Sequence, residues 1–206
     1  MSQLSVETYQ QTQEDLAKLS LWIFETIKPY IKGRTLEMDS NSGVMSSFFV
    51  DQSIPVHLNA PDETTRSSLT EKFKSTELVK GIHCIDYSLP DVDAKHSSFI
   101  GRFSTVIAPY PGIYHGNPKL IINKAKLLLK SRGHLILFLP SFTVLFPGLE
   151  NDFKKLKSYD RRPLQALLEY CEILKIRYFC LEASIVPSVD KKTLAFPYLV
   201  AVARTP

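Results

Sequence analysis

Glycine is scarce in this chain. Only 8 of its 206 residues are glycine, a share well below the roughly 7% found in ordinary proteins. A nucleotide-binding fold normally places two or three glycines in one loop, where the missing side chain and the access to positive φ let the backbone approach a ligand. The chain therefore has few glycines to supply such a loop.

Cysteine and long apolar runs are also rare. The three cysteines (Cys84, Cys171 and Cys180) are an odd number without C-x-x-C spacing, which predicts buried free thiols in a reducing cytoplasm. The polar segment Met1–Thr12 lacks the basic start and apolar run of a signal peptide. The most apolar stretch, Leu135–Leu149, is interrupted by two prolines and a glycine, so we expect no membrane span.

The charge is divided unevenly along the chain. The net charge is +4, yet residues 1–100 sum to −5 and residues 101–206 to +9. Because the basic residues of the second half are dispersed rather than clustered, a nucleic-acid surface is disfavoured. The chain has no His-x-His, H-E-x-x-H or Cys/His spacing, so no metal site is expected.

The remaining composition is that of a globular protein. Hydrophobic residues make up 44% of the chain and charged residues 22%, values that suit a single domain over residues 1–206. An apolar stripe with spacings of three and four predicts a helix over residues 13–28. We expect residues 1–32 to form a helical segment that packs on the core.

After this segment, strand and helix patterns alternate, and two β-rich segments then follow in succession. The predicted strands are Arg34–Met38, Ile54–Asn59, Ile82–Asp86, Phe103–Pro109, His134–Leu139, Arg177–Ala183 and Phe196–Ala203. The predicted helices are Ser42–Val50, Pro61–Phe73, Pro118–Lys130 and a helix capped by Asp160 whose apolar face is Leu164, Leu167, Leu168, Cys171 and Leu174.

This order predicts an α/β fold. Alternating strands and helices imply right-handed crossovers and a parallel sheet, and two successive final strands imply an antiparallel addition. We expect a Rossmann-like, mostly parallel sheet of seven strands with an antiparallel last strand. Helices should cover both faces in three α/β/α layers, and ligands should bind at the carboxyl ends of the early strands.

Four segments carry a family resemblance. LEMDSNSGVMSSFF (Leu36–Phe49) resembles the L-E-I-G-x-G-x-G motif that follows the first strand of class I S-adenosylmethionine-dependent methyltransferases. Three later segments resemble later family segments in the same order: FSTVIAP (Phe103–Pro109), LLLKSRGHLILFLPS (Leu127–Ser141) and YDRRPLQALLE (Tyr159–Glu169). The resemblance covers about residues 15–204 and implies the fold, the cofactor S-adenosylmethionine and a methyl-transfer activity.

The resemblance places the cofactor on the first motif, in which glycine is mostly replaced. The cofactor-binding residues that it implies there are Glu37, Asp39, Ser40, Asn41 and Gly43. Asp39 and Asn41 stand where the family has its first two glycines. Because Asp and Asn tolerate left-handed φ better than most residues, the turn itself is expected to survive. The Asp39 carboxylate is expected to pair with the cofactor's ammonium group and also to crowd the cofactor.

The second and third strands carry the next implied contacts. The family's ribose-binding acid at the end of the second strand is replaced here by Leu58 or Asn59, of which Asn59 can accept one hydrogen bond. Asp86, at the end of the third strand, stands where the family often has an acid that faces the adenine amino group. An aspartate that closes a turn is the equal alternative for Asp86.

The catalytic face is expected after the fourth strand. The segment Ala108–Pro118 holds His115, the best candidate for a general base because histidine titrates near neutrality. Tyr110 and Tyr114 are candidates for holding the methyl acceptor. The alternatives are a histidine that is hydrogen-bonded within its own loop and tyrosines that only pack.

Two functions of different class therefore stay open. The first is an S-adenosylmethionine-dependent methyltransferase that acts on a small or lipid-linked substrate, with weak or altered cofactor binding. The second is a catalytically inactive methyltransferase-like protein that serves as a binding or interaction module for a protein partner. A homodimer is a further expectation. A nucleotide-binding oxidoreductase is disfavoured because no G-x-G-x-x-G follows any predicted strand.

Overall fold

A seven-stranded sheet forms the centre of the computed structural model, which describes residues 18–89, 91–109, 118–140, 161–182 and 195–206. The strands are β1 Thr35–Glu37, β2 Val56–Ala60, β3 Val79–Cys84, β4 Phe103–Pro109, β5 Leu129–Pro140, β6 Glu172–Glu182 and β7 Ala195–Arg204. The helices are α1 (residues 18–27), α2 Val44–Asp51, α3 Glu63–Lys72, α4 Val92–Lys95, α5 Pro118–Leu128 and α6 Arg161–Leu167. Short 3-10 turns cover Lys28–Tyr30 and Ser97–Phe99.

The strand order confirms the predicted topology. The sheet runs β3-β2-β1-β4-β5-β7-β6. Neighbours from β3 through β5 pair in parallel, and β7 pairs antiparallel with both β5 and β6. The chain adds β2 and β3 on one side of β1 and then β4 and β5 on the other side. The carboxyl ends of β1 and β4 therefore lie at a topological switch point, where α/β sheets bind ligands.

Helices pack on both faces of the sheet, as the three-layer prediction requires. One buried cluster contains residues of α5 and α6, and the other contains residues of α1, α2 and α3. In α1, the residues Leu19, Ile23, Phe24 and Ile27 are buried in the second cluster. No helix of the described segments is long and apolar enough to cross a membrane.

Two predicted boundaries are wrong at the amino ends of late strands. Strand β5 begins at Leu129, so α5 ends before Lys130, and β6 begins at Glu172, so Leu174 lies in a strand rather than in α6. Tertiary pairing overrides the helical periodicity here. Tyr170 ends the helical turn in the left-handed conformation, with φ of 67°, and the chain then pairs with β7.

Helix α3 begins at Glu63, two residues after its predicted start at Pro61. Asp62 caps α3, accepting a hydrogen bond from the Thr65 backbone N–H at 2.7 Å, which satisfies an otherwise unpaired donor. Asp160, the predicted cap of α6, lies outside the described residues.

Cys84 and Cys171 are free thiols, as predicted, but they are half-buried rather than buried.

Gly43 fixes how closely α3 approaches the start of α2. Its φ is 68°, and a Cβ placed on it would lie 2.8 Å from Leu69 Cδ2 and 2.9 Å from Phe73 Cε2. Two features therefore favour glycine at position 43: the left-handed backbone and the two apolar side chains that leave no room for a Cβ.

Gly43→Ala is expected to lower the free energy of unfolding by about 2–4 kcal/mol, the sum of left-handed strain and overpacking. Gly101→Ala is the matched control, because Gly101 has φ of 66° but no atom within 4 Å of its added Cβ. It should cost only about 1 kcal/mol. Urea unfolding measures both values, and equal losses in the two variants would refute the packing constraint.

Candidate functional site

The turn that joins β1 to α2, residues 38–43, lies at the carboxyl end of the sheet. Asp39 has φ of 52°, Asn41 of 42° and Gly43 of 68°. The prediction that the turn survives without its first two glycines is therefore confirmed. Asp and Asn occupy the left-handed region more readily than other residues with a side chain.

Hydrogen bonds hold this β1–α2 turn in place. The Met38 N–H donates to Ile107 O at 2.8 Å, and the Ser40 N–H donates to Asn59 O at 2.8 Å. Within the turn, Asn41 Nδ2 donates to Asp39 O at 2.7 Å. The turn is thus tied to both neighbouring strands, and the Asp39 side chain is presented from a fixed backbone.

Glu37, the last residue of β1, is buried with only 3% of its surface exposed. Its Oε2 accepts a hydrogen bond from Ser46 Oγ of α2 at 2.5 Å. Burial raises the pKa of Glu37 to about 7, against the weaker opposing effects of Ser46, Ser40 and Lys72. The carboxyl group therefore links β1 to α2, and its role as a cofactor contact stays a prediction.

Asn59 joins β2 to the segment after β3. Its Nδ2 donates to Ile85 O and its Oδ1 accepts from the Ile85 N–H, both at 3.0 Å. Strand β2 ends one residue later, at Ala60, and Leu58 is buried in the core. None of these positions carries a carboxylate, and the Asn59 amide already uses one donor and one acceptor.

Asp86 closes a turn two residues beyond the end of β3. Its Oδ1 accepts from the Ser88 N–H at 2.9 Å and from Ser88 Oγ at 2.6 Å. The side chain is exposed. The turn role is therefore observed, and the contact with adenine stays a prediction.

Tyr87 is a candidate site residue that the sequence analysis did not identify. Its side chain is 5% exposed, and its hydroxyl has no hydrogen-bond partner among the described residues. Burial, followed by the negative charge of Asp39, raises its pKa. An unsatisfied buried hydroxyl costs about 1–3 kcal/mol, so a ligand that reaches Tyr87 would gain a ready hydrogen bond. Its only sequence signal is its place directly after Asp86.

A chain of three polar side chains lies beside this region. Arg34 Nε donates to His57 Nε2 at 3.1 Å, so His57 presents its Nδ1 proton toward His83 Nε2, 3.4 Å away. Burial lowers the pKa of both histidines, that of His57 to about 4. His57 lies on the inner strand β2 and His83 on the edge strand β3. No group of three or more metal-ligating side chains occurs in the described part of the chain.

The predicted catalytic residues His115, Tyr110 and Tyr114 lie outside the described residues, as does the segment 141–160 that follows β5. The described residues thus include those predicted to bind the cofactor, in the β1–α2 turn and at Asn59 and Asp86, together with the neighbouring Tyr87.

No family model matches the chain, and no curated protein sequence matches it. Several solved structures are similar to it. A SAM-dependent methyltransferase from Methanosarcina mazei is 15% identical, with 87% of this chain and 96% of that chain covered and a TM-score of 0.66. One from Anabaena variabilis is 12% identical, with 90% and 83% covered and a TM-score of 0.67.

A [4+2]-cyclase, SpnF, is also similar, at 15% identity with 92% of this chain and 80% of that chain covered and a TM-score of 0.65. At these identities the likeness shows the fold. The chain has the Rossmann-like fold of class I S-adenosylmethionine-dependent methyltransferases.

The raised pKa of Glu37 predicts a pH dependence of stability. The folded state retains a proton that the unfolded chain releases above its ordinary pKa of 4.5. Stability should therefore fall as pH rises from about 4.5 to about 7, by roughly 3 kcal/mol. The variant Glu37→Gln should no longer lose stability over this pH range. The control variant Glu77→Gln, changed at an exposed position, should lose as much stability as the wild type. Urea unfolding at pH 5 and pH 8 tests this, and an unchanged pH dependence in Glu37→Gln would contradict the assignment.

Proposed function

We propose that this protein binds S-adenosylmethionine at the carboxyl ends of β1, β2 and β3 and transfers its methyl group to a small or lipid-linked acceptor. The observation that carries the proposal is the β1–α2 turn, which keeps a left-handed backbone at Asp39, Asn41 and Gly43. The fold shared with solved S-adenosylmethionine-dependent enzymes supports it.

The described residues fit the amino-acid end of this cofactor. Asp39 brings a half-buried carboxylate to a turn that is fixed by hydrogen bonds, and a carboxylate is a suitable partner for an ammonium group. The unpartnered Tyr87 hydroxyl lies within the electrostatic influence of Asp39. Together they supply one charged and one neutral polar contact.

The ribose end is recognised differently from the family pattern. Strand β2 ends at Ala60 without a carboxylate, and the Asn59 amide is held by Ile85. We infer that binding relies on Asp39, Tyr87, Asp86 and the turn, and that it is weaker than in enzymes with the ribose acid.

When bound, S-adenosylmethionine supplies an electrophilic methyl group on a sulfonium. The protein's part is mostly orientation, which by itself contributes much of the acceleration of such transfers. Asp39 holds the ammonium end, and Glu37 with Ser46 keeps the turn on α2. In this proposal His115 accepts the proton of the acceptor, and Tyr110 and Tyr114 hold the acceptor.

A second candidate is an inactive interaction module with the same fold. The missing carboxylate at the end of β2 and the engaged Asn59 amide favour it. The two candidates differ in whether S-adenosylmethionine binds at all, since fold alone does not decide function.

Calorimetric titration with S-adenosylmethionine and S-adenosylhomocysteine should show micromolar binding of both. Asp39→Asn should weaken both about tenfold or more, because it removes a charge-assisted hydrogen bond while keeping the left-handed turn. Asp39→Gly serves as the opposing control. Tighter binding by Asp39→Gly would mean that Asp39 only obstructs the site, and no heat at millimolar ligand would leave the interaction module as the function.

Tyr87→Phe should leave the unliganded protein as stable as the wild type or slightly more stable, because it removes an unsatisfied buried hydroxyl. The same variant should weaken S-adenosylmethionine binding several-fold. Tyr170→Phe is the matched control, since Tyr170 is 82% exposed. Thermal unfolding with and without ligand measures both effects. A Tyr87→Phe variant that is less stable than the wild type and binds the ligand equally well would contradict the proposed contact.

A further inference from the structure

A cleft opens between the first helical segment and the edge strand β6, far along the sheet from the β1–α2 turn. Trp22, Glu25 and Tyr30 line it from one side, and Lys175 and Arg177 line it from β6. Its volume is about 550 Å³, within the range of small-ligand pockets. The candidate methyltransferase site does not use any of these residues.

The lining combines flat aromatic surfaces with positive charge. Trp22 and Tyr30 are half-buried, Lys175 is half-buried and Arg177 is exposed. The ion pairs found among the described residues involve neither Lys175 nor Arg177. Glu25 is the single carboxylate of the lining. Two positively charged side chains outside these ion pairs, beside two aromatic rings, suit an anionic ligand that carries a planar ring.

The fold holds both cations on the same side as the aromatic rings. A register irregularity in β6 lies between Ile173 and Lys175, and Leu174 packs against the buried cluster that contains α1. Lys175 and Arg177 pair with Val202 and Val200, two residues apart along one strand, so their side chains share one face of the sheet.

Tyr30 is also fixed in position. The His134 Nδ1–H donates to Tyr30 O at 2.6 Å, and the two rings meet edge to face at 6.1 Å between centroids. Tyr30 is therefore anchored to β5 at His134, which pairs with Thr105 of β4. A residue anchored in this way loses little freedom when a ligand binds.

We propose that this cleft binds a nucleoside phosphate, with its phosphate groups on Lys175 and Arg177 and its base against Trp22 and Tyr30. Guanidinium and ammonium groups make strong, charge-assisted hydrogen bonds to phosphate, and a base can stack on an aromatic face. The proposal is independent of cofactor binding at the β1–α2 turn.

The chain's only tryptophan reports on this site directly, because Trp22 lines the cleft. Titration of the full chain with ADP should quench tryptophan fluorescence in a saturable way. Adenosine, which lacks phosphate, and pyrophosphate, which lacks a ring, should each bind at least tenfold more weakly. Raising the salt concentration should weaken ADP binding.

Arg177→Glu and Lys175→Glu should each weaken the ADP-dependent quenching at least tenfold, whereas Lys80→Glu, an exposed charge reversal on β3, should leave it unchanged. Asp39→Asn should also leave it unchanged, which separates this cleft from the cofactor site. Absence of quenching at millimolar ADP, or undiminished quenching in both β6 variants, would overturn the proposal. Loss of quenching in Asp39→Asn would do so as well, by placing ADP at the β1–α2 turn.

Discussion

The left-handed backbone of the β1–α2 turn is the constraint on which the candidate site depends. Three positions within five residues adopt positive φ, and only Gly43 is a glycine. A Cβ at Gly43 would meet Leu69 of α3 and Phe73, which caps that helix, so the absence of a side chain lets the two helices pack closely. Asp39 and Asn41, at the other two positions, keep the left-handed backbone of the turn and carry polar side chains where the family has glycine.

The sequence predicted the architecture because its signals are local. The strand Phe103–Pro109 has the predicted bounds, since a short run rich in β-forming residues lies between Gly101 and Pro111, which both favour turns. The predicted start of β5 was wrong because Leu129 already pairs with Phe103 of β4, and the predicted end of α6 was wrong because Glu172 already pairs with Arg204 of β7. The role of Asn59 was hidden because its partners are backbone atoms 26 residues away, and Tyr87 was missed because its burial is a tertiary property.

The proposed chemistry rests on a divided recognition of one ligand. In the proposal, the amino-acid end of S-adenosylmethionine contacts Asp39 and the Tyr87 hydroxyl, which has no hydrogen-bond partner among the described residues. The end of β2 has Ala60 and the Asn59 amide, which is hydrogen-bonded to Ile85. Because a fold alone does not decide a function, the proposal depends on the side chains of the β1–α2 turn.

A crystal structure of the protein grown with S-adenosylhomocysteine would show whether the β1–α2 turn binds this ligand. We expect the ligand at the turn, with its ammonium group on the Asp39 carboxylate and with a hydrogen bond donated to it by the Tyr87 hydroxyl. A turn without ligand at saturating concentration, with Asp39 filling the space, would contradict this expectation.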